Sequence, residues 1–417
     1  MTSVLMIASL ILRGVYAVLP VCSLSVFLLR GGLRLKRTII TAWISGIILT
    51  GAVLGVYVAS TGGTMSYAQV GLAIYWGVSL ILLLKGMDWI LRIGVRKLTP
   101  DHNAGYRSFW RWGIHGLRVM LFAGFTLPWV MSAVMVYRPK VVSMSVDSPA
   151  GVLNLDYETI GFRTPDGIHI AGWWIPSKSF STTTVVLCHG LGASKASAWT
   201  MLRMLHDAGV HVLTIDLRAH GSSGGQLSTF GASEWQDVIG AVDYLKSHFP
   251  DESHRLIVVG ASMGGASAIE ATASDPRIDG VVVIGCFSSL VDLSRYISDR
   301  YMIFPLNLLT RYLAMPMACL HSGYNLFEVN PGNRVQAVWP RPVMVIHGFH
   351  DEIIPFEQGR KLYEKAFFPR WSKFVVGTHN EVLDDPTVIK DVVDFVLNSK
   401  SNAVVQTERV CREPAGR

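Results

Sequence analysis

The sequence has few cysteines, and its first third has almost no negative charge. Five cysteines stand far apart along 417 residues, and their odd number and lack of a Cys-x-x-Cys pair argue against a disulfide framework and a cysteine metal site. Cys188 and Cys286 end apolar strand-like runs, where a free cysteine usually packs as a small hydrophobe. Residues 1–140 contain only two acids, Asp88 and Asp101, against fourteen lysines and arginines, a balance of +12. The rest of the chain is therefore net acidic, because the whole carries +7.

The acid-poor region holds its bases between long apolar runs. These runs cover Ser3–Leu29, Thr38–Ser60, Tyr67–Leu84 and Ile114–Tyr137. Each is long enough to cross a bilayer core of about 30 Å, so the sequence predicts a membrane region at 1–140 with about four transmembrane helices. Whether the first run crosses is left open. The bases do not form the basic folded face that nucleic-acid binding requires, and we expect no nucleic-acid partner.

The charges between the runs predict an orientation. Lysines and arginines cluster after the first and third runs, and none follows the second. Basic loops stay in the cytoplasm, so the chain after the fourth run is expected on the extracytoplasmic face of the cell membrane. The runs carry no acid, histidine cluster or cysteine pair, so we expect neither transport nor metal chemistry there.

After Pro139 the pattern changes to short apolar strands that alternate with helical segments. Leu153–Phe162 and Ile168–Ile175 flank a Thr-Pro-Asp-Gly turn and predict a hairpin. The later alternation predicts a mainly parallel sheet with helices on both faces, an α/β domain at 141–399. Segment 288–333 interrupts the alternation and is expected to form a short helical cap, and 400–417 a flexible tail.

The candidate nucleophile is Ser262. It lies in Gly260-Ala261-Ser262-Met263-Gly264, between an apolar strand and a helix-compatible stretch, the context of a nucleophile elbow. Ser223 also sits in a Gly-x-Ser-x-Gly match, but no strand leads directly into it and no helix leaves it. We therefore interpret Ser223 as part of a glycine-rich loop.

A serine hydroxyl needs a base, and the base needs an acid that orients it. His379 follows the last strand-like run, and Asp351 follows the run before it, so both are expected at the sheet edge that carries Ser262. Glu352 is a rival for the acid. Asp384 and Asp385 are weaker candidates, because they stand where the final helix begins and an acid there is a normal cap.

An oxyanion hole needs two backbone N–H groups aimed at the developing charge. One is expected from Met263, the residue after the nucleophile. The other is expected from Leu191, in the loop after the strand that ends at Cys188. His189 precedes a glycine in that loop and is expected to brace it rather than act as a base.

Five motifs in order give the chain a family resemblance. They are His189-Gly190-x-Gly192, Asp216–Gly224, the Ser262 elbow, His347-Gly348-x-x-Asp351 and Gly377-x-His379. From about 153 to 398 the chain resembles the α/β-hydrolase superfamily, and in particular its serine aminopeptidase-like and Bem46-like group. The chain departs from the group at Ala219-His220, where relatives often have Gly-x, and the membrane region lies outside the resemblance.

The resemblance implies an α/β-hydrolase fold and an acyl-enzyme mechanism with Ser262, Asp351 and His379 as the catalytic triad, without metal or cofactor. The expected activity is hydrolysis of carboxylic esters, with lipid or other acyl esters as substrates and membrane lipids as neighbours. Alternatives are a thioesterase or peptidase on the same residues, or a non-catalytic binding protein on a hydrolase scaffold.

Overall fold

The computed structural model describes residues 147–302, 304 and 306–399, with scattered residues between 37 and 137. The four expected membrane spans and the tail at 400–417 lie outside the described residues, apart from those scattered positions. Across the part that is described, no helix combines the length and apolarity needed to cross a membrane.

The chain divides into two compact units. One comprises Met1–Met135 with Tyr301–Tyr324, and the other Val136–Arg300 with Asn325–Arg417. The expected boundary at 140 lies close to this division. Segment 288–333 is largely helical, but its middle part, Tyr301–Tyr324, is grouped with the N-terminal region. A helical cap over the strand ends stays a prediction.

Eight strands form one sheet in the second unit. The strands are β1 (Glu158–Arg163), β2 (His169–Ile175), β3 (Thr183–Cys188), β4 (His211–Ile215), β5 (Arg255–Ala261), β6 (Gly280–Ile284), β7 (Val343–Gly348) and β8 (Arg370–Val375). Their order is β1-β2-β4-β3-β5-β6-β7-β8. β2 pairs antiparallel with β1 and β4, and all other pairs are parallel. The mainly parallel sheet is therefore confirmed.

Helices connect the strands. They are α1 (Pro149–Leu153), α2 (Trp199–Asp207), α3 (Trp235–His248), α4 (Met263–Ser274), α5 (Leu290–Tyr301), α6 (Leu306–Ser322), α7 (Pro331–Arg334), α8 (Phe356–Lys365), α9 (Glu381–Asp384) and α10 (Pro386–Asn398), with 3-10 turns at Leu326–Glu328 and Val335–Val338. α2 packs against α10, and α3 packs against α4. Strands β4 and β6 are buried along their whole length, as expected for parallel strands covered on both faces.

The expected hairpin is confirmed, but the start of its first strand was wrong. Leu153 ends helix α1 instead of beginning a strand. The Ser148 side chain accepts a hydrogen bond from the Gly151 N–H at 3.1 Å, and Pro149 is the first helical residue. Both features favour a helix N-terminus, and Asn154 ends the helix in the left-handed conformation. β1 therefore begins only at Glu158.

Candidate active site

Ser262 occupies a sharp turn between β5 and α4. Its backbone has φ 52° and ψ −116°, a positive-φ conformation that non-glycine residues rarely adopt. A side chain at Gly260 would overlap the Gly264 backbone, and one at Gly264 would overlap the Cys188 carbonyl. Glycine is therefore required on both sides of the serine, and the turn leaves Ser262 partly exposed at the carboxyl end of β5.

Ser223 is fully buried. Its Oγ accepts the Ala171 N–H at 2.8 Å and donates to the Asp216 carbonyl. The hydroxyl therefore ties the loop after β4 to β2. This geometry agrees with the interpretation of Ser223 as a loop residue.

The His379 Nδ1 lies 2.6 Å from the Asp351 Oδ2. Because a carboxylate only accepts, Nδ1 carries the proton, and Nε2 is left with the lone pair that a general base needs. The other oxygen of Asp351, Oδ1, accepts the N–H groups of Ile353 at 3.0 Å and Ile354 at 2.8 Å. Both carboxylate oxygens of Asp351 are thus held, Oδ1 by the backbone of its own loop and Oδ2 by the imidazole.

Gly285 connects this pair with the serine. The Ser262 N–H donates to the Ile284 carbonyl at 2.8 Å, so the residue after Ile284 lies next to the elbow. That residue, Gly285, has φ 57°, and an added Cβ would lie 3.0 Å from His379 Cε1 and 3.6 Å from Asp351 Oδ2. The ends of β5, β6, β7 and β8 therefore bring all three candidate residues to one edge of the sheet.

The rival acids lie elsewhere. Glu352 has an exposed side chain, whereas Asp351 is 6% exposed and bound to the imidazole. Asp384 is the last residue of the short helix α9. Asp385 caps α10, because its side chain accepts the N–H groups of Thr387 and Val388. The capping role expected from the sequence is confirmed for Asp385.

The expected oxyanion-hole donors come from two segments beside Ser262. Met263 is the first residue of α4, where backbone N–H groups have no partner within the helix. A Cβ at Gly190 would lie 3.3 Å from the Ser262 Cβ, so the loop that contains Leu191 passes directly over the nucleophile. Both segments are thus close enough to the serine for an oxyanion hole.

Two histidines hold the Leu191 loop. His189 Nε2 accepts the Leu217 N–H at 3.1 Å, and its Nδ1 lies 2.7 Å from the Gly190 carbonyl oxygen. Nδ1 therefore donates to that carbonyl. Because the peptide plane is rigid and trans, this bond also fixes the direction of the Leu191 N–H, which points the opposite way. The bracing role expected for His189 agrees with this geometry.

His220 holds the other side of the same loop. Its Nε2 accepts the Gly192 N–H at 3.1 Å, and its Nδ1 contacts the Arg218 carbonyl at 2.8 Å. The His189 and His220 rings meet edge to face, 5.0 Å between centroids. Burial, and secondly the neighbouring His220, lower the pKa of His189 to about 3, so its imidazole is neutral at physiological pH.

Buried ion pairs anchor the two loops. The Lys195 Nζ lies 2.5 Å from Asp216 Oδ2, and the Lys195 N–H donates to Asp216 Oδ1 at 2.7 Å. Arg218 bonds Asp237 through Nε at 2.9 Å and Asp166 through Nη1 at 2.6 Å. The Lys195–Asp216 pair links the loop after β3 to the end of β4. Arg218 joins the loop after β4 to helix α3 and to the turn between β1 and β2.

Sequence reasoning missed several residues of the site. Gly285 was not identified, although a glycine directly after a buried strand was a usable signal. His220 was noted only as a departure from the family pattern, and its neighbour Ala219 adopts φ 62°, where glycine is the residue that fits without strain. Cys188 and Cys286 are free and buried, so the prediction that they are core residues is confirmed.

Comparison with known proteins agrees with this architecture. A model of the alpha/beta hydrolase family matches residues 185–409, a range that contains every candidate site residue. The chain is 27% identical over 226 residues to the uncharacterized protein YfhR of Salmonella typhimurium, covering 52% of this chain and 72% of that protein. It is 25% identical over 261 residues to the alpha/beta hydrolase domain-containing protein WAV2 of Arabidopsis thaliana, covering 60% and 81%.

A solved structure gives a similar result. The esterase Pf2001 of Pyrococcus furiosus aligns with a TM-score of 0.52 and 25% sequence identity, over 63% of this chain and 98% of that one. The aligned share of Pf2001 is nearly its whole length, so the likeness concerns a complete esterase domain.

Proposed function

The chain belongs to the alpha/beta hydrolase family, and on that premise we propose that it is a membrane-bound serine hydrolase that cleaves carboxylic esters. The observation that carries the proposal is the 2.6 Å contact between His379 and Asp351 at the sheet edge where Ser262 occupies its strained turn. The likeness to an esterase supports ester hydrolysis in particular. Membership of the Bem46-like group is part of the same proposal.

The proposed reaction begins when His379 Nε2 takes the proton of the Ser262 hydroxyl and Oγ attacks the ester carbonyl carbon. The carbonyl oxygen becomes an oxyanion, which the N–H groups of Met263 and Leu191 stabilise. Collapse breaks the bond to the alkoxy oxygen, and His379 returns the proton to the leaving alcohol. A water molecule, activated by the same imidazole, then hydrolyses the acyl-enzyme and releases the acid.

The proposed setting is the outer face of the cell membrane. The four apolar runs and the +12 charge balance of residues 1–140 support it. A bilayer would supply lipid or other acyl esters close to the site. Labelling of intact cells with a membrane-impermeant fluorophosphonate tests this placement: we expect labelling without lysis, and labelling that requires lysis would put the domain in the cytoplasm.

The activity is tested with p-nitrophenyl esters of increasing chain length, alongside a matched thioester and a p-nitroanilide. We expect the full-length protein to hydrolyse the esters fastest, and Ser262→Ala to abolish the reaction. Ser222→Ala is the matched control, because Ser222 is an exposed serine in the other Gly-x-Ser-x-Gly match. Faster cleavage of the thioester or the anilide would favour the thioesterase or peptidase alternative. A folded wild type that cleaves none of the three would favour a binding scaffold.

A further inference from the structure

A second histidine lies against the candidate acid. His347, near the end of β7, has a fully buried side chain. Its Nε2 lies 2.8 Å from the Ile354 carbonyl oxygen and 3.4 Å from the Asp351 Oδ2. The reaction described above gives this imidazole no task.

The contacts define the protonation of His347. Both neighbours of Nε2 only accept hydrogen bonds, so Nε2 carries the proton. Nδ1 is buried and has no hydrogen-bond partner among the residues that the structure describes, so a proton there would be an unsatisfied buried donor. Burial also lowers the pKa of His347. The ring is therefore a neutral donor with a single possible tautomer.

The fold makes room for this ring at a cost. A Cβ at Gly359, inside helix α8, would overlap the His347 ring. Glycine in a helix interior is less stable than alanine by about 0.5–1 kcal/mol. With a smaller residue at 347, glycine would not be required in α8. Packing between β7 and α8 alone therefore does not explain the presence of this ring.

His347 spans the loop that carries the acid. The loop begins after Gly348, and the ring bonds Ile354, near the far end of the loop, to the strand at its near end. Ile354 in turn donates its N–H to Asp351 Oδ1. The ring, the Ile354 peptide groups and the carboxylate thus form one closed set of contacts. In it Ile354, together with the Ile353 N–H, holds Oδ1 and so sets the direction of Asp351 Oδ2.

We propose that His347 is a positioning residue for Asp351: by holding Ile354, it keeps the carboxylate in contact with His379. The proposal rests on the proposed function, because positioning affects catalysis only if the pair acts on Ser262. The other titratable side chains on the two adjoining loops are His350, Glu352 and Glu381, and all three are exposed.

Two variants differ only in reach. In His347→Gln the side-chain amide nitrogen is separated from Cα by the same number of bonds as the histidine Nε2. It can therefore still donate to the Ile354 carbonyl. In His347→Asn the nitrogen takes the place of Nδ1 and cannot reach. We expect Gln to retain kcat within about threefold and Asn to lose about tenfold or more, since small displacements of catalytic groups have such effects. KM should change little, because the His347 side chain is fully buried.

The pH profile separates positioning from a merely structural role. If Asp351 drifts from His379, the imidazolium loses part of the stabilisation that a nearby carboxylate gives. The acidic limb of kcat/KM should then move to lower pH in His347→Asn, and return in His347→Gln. No movement, or a movement to higher pH, would overturn the proposal, as would equal loss in both variants.

A spectroscopic readout does not require activity. Proton NMR of the full-length protein in detergent should show a downfield Nδ1–H signal from the His379–Asp351 bond in wild type and His347→Gln. The signal should weaken or vanish in His347→Asn, and its persistence there would contradict positioning. If wild type gives the signal but cleaves no ester, the proposed function fails. The NMR comparison of the two variants then still tests whether His347 positions Asp351.

Discussion

Substitution of Gly285 by alanine should damage the site more than it damages the fold. The added Cβ would lie 3.0 Å from the His379 Cε1 and 3.1 Å from Nδ1, whereas carbon atoms pack best at about 3.5–4.0 Å. The imidazole must therefore move by about 0.5 Å. Since a misplacement of about 1 Å costs about a hundredfold in rate, we expect kcat/KM to fall by about tenfold.

Alanine at Gly285 also introduces backbone strain, which needs a matched control. Gly167, in the exposed turn between β1 and β2, has φ 85°, and an added Cβ would meet no atom of the described residues within 4 Å. Both substitutions place alanine in a left-handed conformation, which lowers stability by about 1–2 kcal/mol. Only the alanine at 285 would contact the imidazole. Thermal unfolding should shift similarly for the two variants, while ester hydrolysis should fall only for Gly285→Ala. Equal kcat/KM for the two variants would refute the geometry described here.

Three further outcomes follow from the loops behind the site. Replacing His220 by phenylalanine should remove the acceptor of the Gly192 N–H and lower kcat by about tenfold with little change in KM, a smaller loss than that of an entire oxyanion donor. His220→Gln, whose side-chain oxygen can accept the same N–H, should recover most of the lost kcat. A Phe variant with normal kcat would contradict the proposed support of the Leu191 loop by His220. Ala219→Gly should relieve the left-handed strain and raise the free energy of unfolding by up to about 1 kcal/mol, measured by urea denaturation; a destabilised variant would contradict this. The pKa of His189 is lowered to about 3, so below pH 6.5 the unfolded chain binds a proton on this imidazole that the folded chain does not bind. A shift from pH 7 to pH 5 should therefore lower the free energy of unfolding by about 2 kcal/mol. His189→Gln should have a flatter urea-stability profile over that range, and an unchanged pH dependence would show that His189 is charged in the folded state.

Much of the fold could be predicted because its signals are local. Strands and helices alternate after the hairpin as the pattern indicated, and the buried strands are continuous apolar runs. The ends of parallel strands share one edge, so the placement of Ser262, Asp351 and His379 followed from topology alone. A strand was predicted to begin at Leu153, where the structure has the end of helix α1, because the helix cap at Ser148 was not recognised.

Other features depend on contacts between distant positions, which a single sequence does not reveal. Gly285 and His379 are far apart along the chain, and only the sheet brings them together. The role of His347 depends on the path of a loop and on a glycine in α8. Likewise, the grouping of Tyr301–Tyr324 with the N-terminal region has no local signal, since the sequence of the segment indicates only a short helical cap.

The central claim is that Ser262 is an activated nucleophile. The most direct test is to treat the full-length protein in membranes with a fluorophosphonate and map the adduct by peptide mass spectrometry. Only a serine whose proton is taken by a neighbouring base reacts readily with this reagent. The account predicts a single adduct on Ser262 that disappears in His379→Ala. An adduct on Ser223, or a folded protein that stays unlabelled, would contradict it.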